Sequence, residues 1–237
     1  MSEENSLPPP DRWARLAAEE RRKQNRRDGC LVFLLVALII AIFWGIIHPG
    51  KHVRKAATSQ MISNARQIGL GLFEFEIAYG KFPDASTIAE VKQSPGTALT
   101  LNDATSNDLF KQLLATKCVY SEKVFGAFET RAKRPDDAFD KDSNALLAGE
   151  CGFAYVLGPS SADEPDRPLV FGPVRPGTKT LDLKINDGRA VVLRANNSCS
   201  LQNVKLDDGR ISMGNGILFD PVHPVWNGKP LEIKWPK

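Results

Sequence analysis

The sequence predicts an α+β fold in which a long N-terminal membrane helix and a stem helix precede an antiparallel sheet, the stem packing on one sheet face. Three observations carry this prediction. Cys30 to Ile47, CLVFLLVALIIAIFWGII, is a run of eighteen residues without a charge. From Met61 to Tyr79 apolar residues recur at spacings of three and four. From Gly152 onward, short β-prone runs alternate with turns made of Gly, Pro, Asn and Asp.

The apolar run decides where the chain sits. At about 1.5 Å per residue it spans roughly 27 Å as a helix, close to the ~30 Å hydrocarbon thickness of a bilayer. Thirteen of the residues from Leu31 to Ile47 are Leu, Ile, Val or Phe. Each favours insertion by roughly 0.3 to 0.6 kcal/mol, on the order of 4 to 8 kcal/mol in sum. Residues 30–48 therefore read as a single-pass span, with Leu31, Leu34, Leu35, Ile39, Ile42 and Ile46 as anchors.

Orientation follows from the cations. Arg12, Arg15, Arg21, Arg22, Lys23, Arg26 and Arg27 precede the run, whereas Lys51, Arg54 and Lys55 follow it. The positive-inside bias keeps residues 1–29 in the cytoplasm, sets the span in the inner membrane and exports the rest to the periplasm or cell surface. A cleaved secretory signal would end its apolar core in small residues; His48, Pro49, Gly50 and Lys51 follow instead. Residues 1–29 read as a solvated arm whose arginines act on headgroups and topology. The competing reading is a weakly amphipathic helix of Trp13, Leu16 and Ala17 capped by Asp11.

Pro49 and Gly50 break the helix at the membrane surface, and residues 51–80 form the stem. Met61, Ala65, Ile68, Leu72, Phe75 and Tyr79 make one apolar stripe that must be buried against the domain that follows. Gly80 and Pro83 end the helix. Gly69 and Gly71 cost roughly 1 kcal/mol each relative to Ala, which leaves two readings, close backbone approach or simple tolerance. Residues 81–237 form the exported domain. Thr87 to Glu90 has capping-box spacing, Asn107-Asp108 opens an amphipathic helix, and FAYVL, PLVFG, AVVLRA, LQNVKL and GILF read as strands. Asn186-Asp187-Gly188 and Asp207-Asp208-Gly209 are turns, and Pro159 to Pro168 is a surface loop.

The string SNARQIGLGLFEFEIAYGKFPD, Ser63 to Asp84, resembles the corresponding segment of type IV pilin-like and type II secretion pseudopilin-like proteins, most of all those of Verrucomicrobia and Planctomycetes. That resemblance covers the leader, span and stem, about a third of the chain. It implies a leader cut by a dedicated peptidase, with Gly29 and Cys30 at the processing site, and an apolar helix that packs with other subunits. NDLFKQLL, ECGFAYVLG, DRPLVFGP and LFDPVHPVW are similar to pieces of the verrucomicrobial members. Three positions depart from the family: Cys30 and Leu34 stand where Phe or Met and Glu are usual, Asp28 stands where a basic residue is usual, and Leu34 cannot offset the buried terminal amine of a neighbouring subunit. The chain then reads either as a minor or capping subunit or as an unprocessed, single-pass relative.

Chemistry is sparse. With three histidines, His48, His52 and His223, neither a zinc cluster nor a Ser/His/Asp arrangement has its material, and no phosphate loop or nucleophile elbow occurs. A net charge of +3 without a basic, aromatic-interleaved stripe excludes nucleic acid as a partner. Asp140, Asp142 and Asn144 have the spacing of the first oxygen ligands of a calcium loop, but Ala145 replaces the required Gly and Glu150 comes one residue early. A solvated acidic loop is the plainer reading, and otherwise no cofactor is expected. Cys118, Cys151 and Cys199 permit one disulfide or none, and Trp226 and Trp235 read as core aromatics or as exposed recognition groups. The expected function is a non-enzymatic subunit working through protein–protein contacts with other pilin-like or secretion-assembly subunits. The alternative is a stand-alone, adhesin-like binding module on a single-pass anchor, its loops meeting an extracellular ligand.

Overall fold

The computed structural model describes residues 10–47, 50–93, 98–127, 133–175, 177–182, 186–204, 211–213 and 216–237. The chain divides into two compact units, Met1–His52 and Val53–Lys237. The Asp207–Gly209 turn, and Lys205 and Leu206 of the LQNVKL run, lie outside the described residues.

The first unit is built on helix α1, Pro10–Ile47, 38 residues long and unbroken through Gly29. The arm before the apolar run therefore takes the helical alternative. Proline is tolerated in a first turn because its missing N–H would be unpaired there, and the Ala, Leu, Glu, Arg and Lys of DRWARLAAEERRK are strong helix formers. Its side chains from Ala17 to Asp28 nonetheless face solvent.

Helix α2, Gly50–Tyr79, begins beyond Pro49 and lies almost wholly in the second unit. It stops at Gly80, whose φ of +76° lets its N–H turn back to the Glu76 carbonyl at 2.7 Å. Two shorter helices follow, α3 (Ile88–Gln93) and α4 (Ser106–Ala115). The start of α4 is a true capping box one turn earlier than Asn107-Asp108 alone suggests: Thr105 accepts from the Asp108 N–H, and the Asp108 carboxylate accepts from the Thr105 N–H. Before α3 it is Asp84 that accepts the N–H groups of Ser86 and Thr87, while the Thr87 hydroxyl donates to Gln112 Oε1 at 2.7 Å.

The sheet comprises β1 (Ala154–Leu157), β2 (Pro168–Gly172), β3 (Arg189–Arg194), β4 (Cys199–Asn203) and, after the two-residue strands β5 (Ser212–Met213) and β6 (Gly216–Ile217), β7 (Glu232–Lys234). Its order is β4-β3-β2-β1-β7, antiparallel throughout, so the sequence-distant β7 closes the edge beside β1. The sequence reading missed β7, a three-residue strand within a Pro-flanked run.

Alternation along the strands sends side chains to two cores. Tyr155, Leu169, Val191 and Leu193 join Met61, Ala65, Ile68, Leu72 and Phe75 of α2 and Leu109, Phe110 and Leu113 of α4. Ala154, Val156, Phe171, Ala190 and Val192 pack instead against Ile211, Leu218 and Trp226. Both sheet faces are thus covered, which accounts for the unbroken apolar runs PLVFG and AVVL.

The two stem glycines have a packing reason. A Cβ on Gly69 would stand 2.2 Å from Asn197 Oδ1, and one on Gly71 would stand 2.5 Å from Val119 Cγ2. Both distances are too short for real atoms, so close approach, not tolerance, explains them. At its other end α2 meets the turn before β3, where the Thr58 hydroxyl donates to Asn186 Oδ1 at 2.6 Å.

Candidate functional site

The apolar part of α1 is the most unusual surface among the described residues. Leu31 through Val36, Leu38, Ile39, Ile40, Ile42 and Trp44 are all exposed, from 47% at Val36 to 72% at Phe33. Six consecutive residues take every direction around a helix with 3.6 residues per turn, so no fold-back of the chain could cover them as a stripe. Among the described residues, no helix is long and apolar enough to cross a membrane. The side chains of Phe43, Ile46 and Ile47, and all of His48, lie outside the described set, so the Ile46 anchor is not placed. Gly29 and Cys30 are helical and exposed, and nothing stands within 4 Å of a Cβ built on Gly29.

In α2 the stripe is spent within the domain: Met61, Ala65, Ile68, Leu72 and Phe75 are all fully buried, and Tyr79 stacks on Phe75 with ring centroids 4.5 Å apart. Asn64 of the Asn-x-x-Gln-Ile-Gly string is also buried. Its Nδ2 donates to the carbonyls of Lys123 (3.2 Å) and Gly126 (3.0 Å), and its Oδ1 accepts from Gln60. The outer face of the helix keeps Leu70 (59% exposed) and Ile77 (88% exposed) in solvent.

Two of the three calcium-spaced residues already have partners within the fold. The Asp142 carboxylate accepts from both the N–H and the hydroxyl of Thr100, which hold its pKa below the usual carboxylate range. Asn144 Oδ1 accepts from Ser143, and Asp140 lines an apolar cavity. Among the described residues, no group of three or more His, Cys, Asp or Glu side chains could hold a metal ion.

The Pro159–Pro168 loop is not merely a surface loop. Arg167 is 2% exposed, paired with Asp163 at 2.9 Å and donating to the Trp226 carbonyl at 2.9 Å, while Lys229 reaches the same Asp163 carboxylate. Ser161 N–H donates to Glu76 at 3.1 Å and so ties the loop to the stem. Trp226 is buried with its indole N–H on the Leu218 carbonyl at 2.7 Å, and Trp235 meets Phe171 edge-on at 5.5 Å. Trp226 belongs to the core, and Trp235, partly buried, packs against it.

Sequence reasoning passed over a buried polar knot around α4. Glu122 and Glu150 are both 0% exposed. Glu122 Oε1 accepts the Leu146 N–H and Glu150 Oε2 the Leu147 N–H, while Asn107 Nδ2 donates to the carbonyls of both leucines at 3.0 Å. Three side chains thereby satisfy the four backbone groups of one turn, in which Leu146 has a φ of +41°. Lys133 neutralises Glu150 at 3.0 Å. Among the described residues Glu122 has no ion pair, and its Oε2 has no hydrogen-bond partner. Burial, with the nearby charges of Glu150, Asp136 and Asp137, outweighs the Leu146 amide and pushes Glu122 up to about 7. Burial also lowers the pKa of Lys111, which is 7% exposed and faced by Asp108, Asp142 and Glu122. The two carboxyls act by holding the turn. Nothing in the sequence announces them, because an isolated Glu reads as surface.

The four cysteines are free thiols, and burial pushes Cys151 up to about 12 and Cys199 up to about 11. Among the described residues, cavities open on the domain. One, about 380 Å³, is lined by Leu99, Leu114, Phe139 and Asp140; another, about 260 Å³, is lined by Leu157, Arg167, Trp226 and Lys229. Compared with protein-family models, with curated proteins and with solved structures, the chain matches none of them.

Proposed function

We propose that the protein is a non-enzymatic, membrane-anchored, pilin-like or pseudopilin-like subunit that works through protein–protein contacts in a type II secretion or type IV pilus-like assembly. The supporting observation is the run Leu31–Ile42, exposed on every side of α1. A contiguous apolar surface of that kind is not tolerated in water and calls for an apolar surrounding, a bilayer or the helices of other subunits. The succession of α1 and α2 and the docking of α2 on an antiparallel sheet agree with the resemblance of the Ser63–Asp84 string. Leu34 favours a minor subunit or an unprocessed relative, since it brings no carboxylate to a filament core.

Cross-linking in native membranes tests the reading. Adducts with other pilin-like proteins are expected, and recovery of monomer alone, under conditions that trap known pilus subunits, would refute it. The mass of the extracted chain separates the two forms: loss of residues 1–29 marks a processed subunit, and an intact chain a permanent single-pass protein. The cavity beside Arg167 and Lys229 favours a second reading, a surface binding module. That reading expects saturable ligand binding by the chain without any partner subunit.

A further inference from the structure

The cationic stretch of α1 has a geometry that the anchor alone does not explain. Arg22 and Arg26 form one i,i+4 row, and Lys23 and Arg27 the row beside it, so four exposed cations share roughly 140° of the helix surface. Like charges stacked at i,i+4 destabilise a helix. Here two such pairs lie side by side, and among the described residues the stretch has one ion pair, Lys23 with Glu19 at 3.4 Å. By the same helical geometry Glu19 falls inside that arc, Glu20 about 20° beyond its edge and Asp28 well outside it. With one carboxylate inside the arc against four cations, the face keeps a net positive charge that a layer of anions would relieve.

Its distance from the apolar run says which anions. Arg27 and Arg22 precede Leu31 by four and nine residues, on the order of 6 and 14 Å along the helix. The polar headgroup zone of a bilayer is roughly 5 to 8 Å deep on each side, with a screening length of about 8 Å beyond it at physiological salt. A helix anchored by Leu31–Ile42 would hold Arg26 and Arg27 at headgroup depth and Arg22 and Lys23 within the surface potential.

We propose that the Arg22, Lys23, Arg26 and Arg27 face of α1 is a docking surface for the headgroups of anionic phospholipids, which holds residues 22–28 helical at the membrane surface. The proposal rests on the anchored reading, and the test separates the two. The full chain is floated with vesicles of phosphatidylcholine alone and with phosphatidylcholine and phosphatidylglycerol at about 7:3, at low and high salt. Amide hydrogen exchange of residues 22–28 is then read in the floated fractions. Flotation with both vesicle types supports the anchor. Exchange slowed roughly ten-fold or more by phosphatidylglycerol, and restored by high salt or by replacing the four cations with glutamine (R22Q, K23Q, R26Q, R27Q), supports the headgroup surface.

Flotation with both vesicle types but equal exchange overturns the headgroup proposal and leaves the anchor standing. Flotation only with the anionic vesicles at low salt removes the anchor and keeps the headgroup surface. Flotation with neither removes both. Inorganic phosphate without lipid, at matched ionic strength, is the remaining arm. If it slows exchange as much as the anionic vesicles do, the face is a general anion site and the lipid assignment falls.

Discussion

Two apolar helical stretches of this chain meet opposite fates. Leu31–Ile42 of α1 is exposed on all sides, whereas the Met61–Phe75 stripe of α2 is fully buried. The difference lies in angular distribution. A stripe recurring every three or four residues has a polar back and needs cover on one side only, which a single sheet face supplies. A helix apolar all round cannot be covered by one face of anything, and must be surrounded. The periodicity of an apolar run thus indicates whether its partner is the rest of the chain or something outside it.

Several variants would break or sharpen this contrast. Phe75→Ala should cost the second unit about 3 to 5 kcal/mol, because Phe75 is fully buried and stacked on Tyr79, and chemical denaturation of the chain in detergent should show it. Leu35→Arg should leave that unfolding midpoint unchanged yet disfavour membrane insertion by roughly 3 kcal/mol, read as the fraction resisting carbonate extraction. Equal effects of both substitutions on domain stability would erase the distinction between the helices.

Glu122 tests how tightly the core that α2 covers is sealed. Its folded pKa of about 7 stands above its ordinary 4.5, so the native state holds a proton that the unfolded chain has already released between those values. Its contribution to stability is present below pH 4.5, is lost as pH rises to about 7, and is constant above that. The loss is about 3 kcal/mol at most. Glu122→Gln keeps an acceptor for the Leu146 N–H and should flatten the fall in stability across that window; an unchanged pH profile would mean that water reaches the site. Thr105→Ala, which removes the cap of α4, should cost about 1 kcal/mol. The smallest effect is expected at Leu70→Ala, within about 0.5 kcal/mol, although fully buried Leu72 lies only two residues away on the same helix.

Much of the fold was legible because it depends on local order. The stripe of α2 and the Gly80 stop follow from spacing and backbone chemistry. The strand cores around Tyr155, Phe171 and Val192 follow from β-prone runs set between turns. β7 was not legible, since a three-residue edge strand is defined by its neighbour β1 and not by its own pattern. Arg167 fell within a surface loop and Glu150 within a solvated acidic loop, and nothing singled out Glu122; only the arrival of Asp163, the Trp226 carbonyl or the Leu146–Leu147 turn makes their burial tolerable. The calcium spacing shows the converse: Asp142 is used up by Thr100, a residue 42 positions away.

The sequence by itself determined where most helices and strands lie, β7 and the helical arm before Leu31 excepted, and that the two apolar helices differ in kind, because periodicity is a property of neighbouring residues. The tertiary structure alone decided that both sheet faces are covered, that Gly69 and Gly71 are points of close approach, and that three buried side chains hold one turn. Those outcomes depend on residues tens of positions apart meeting in space, and no local pattern records such a meeting.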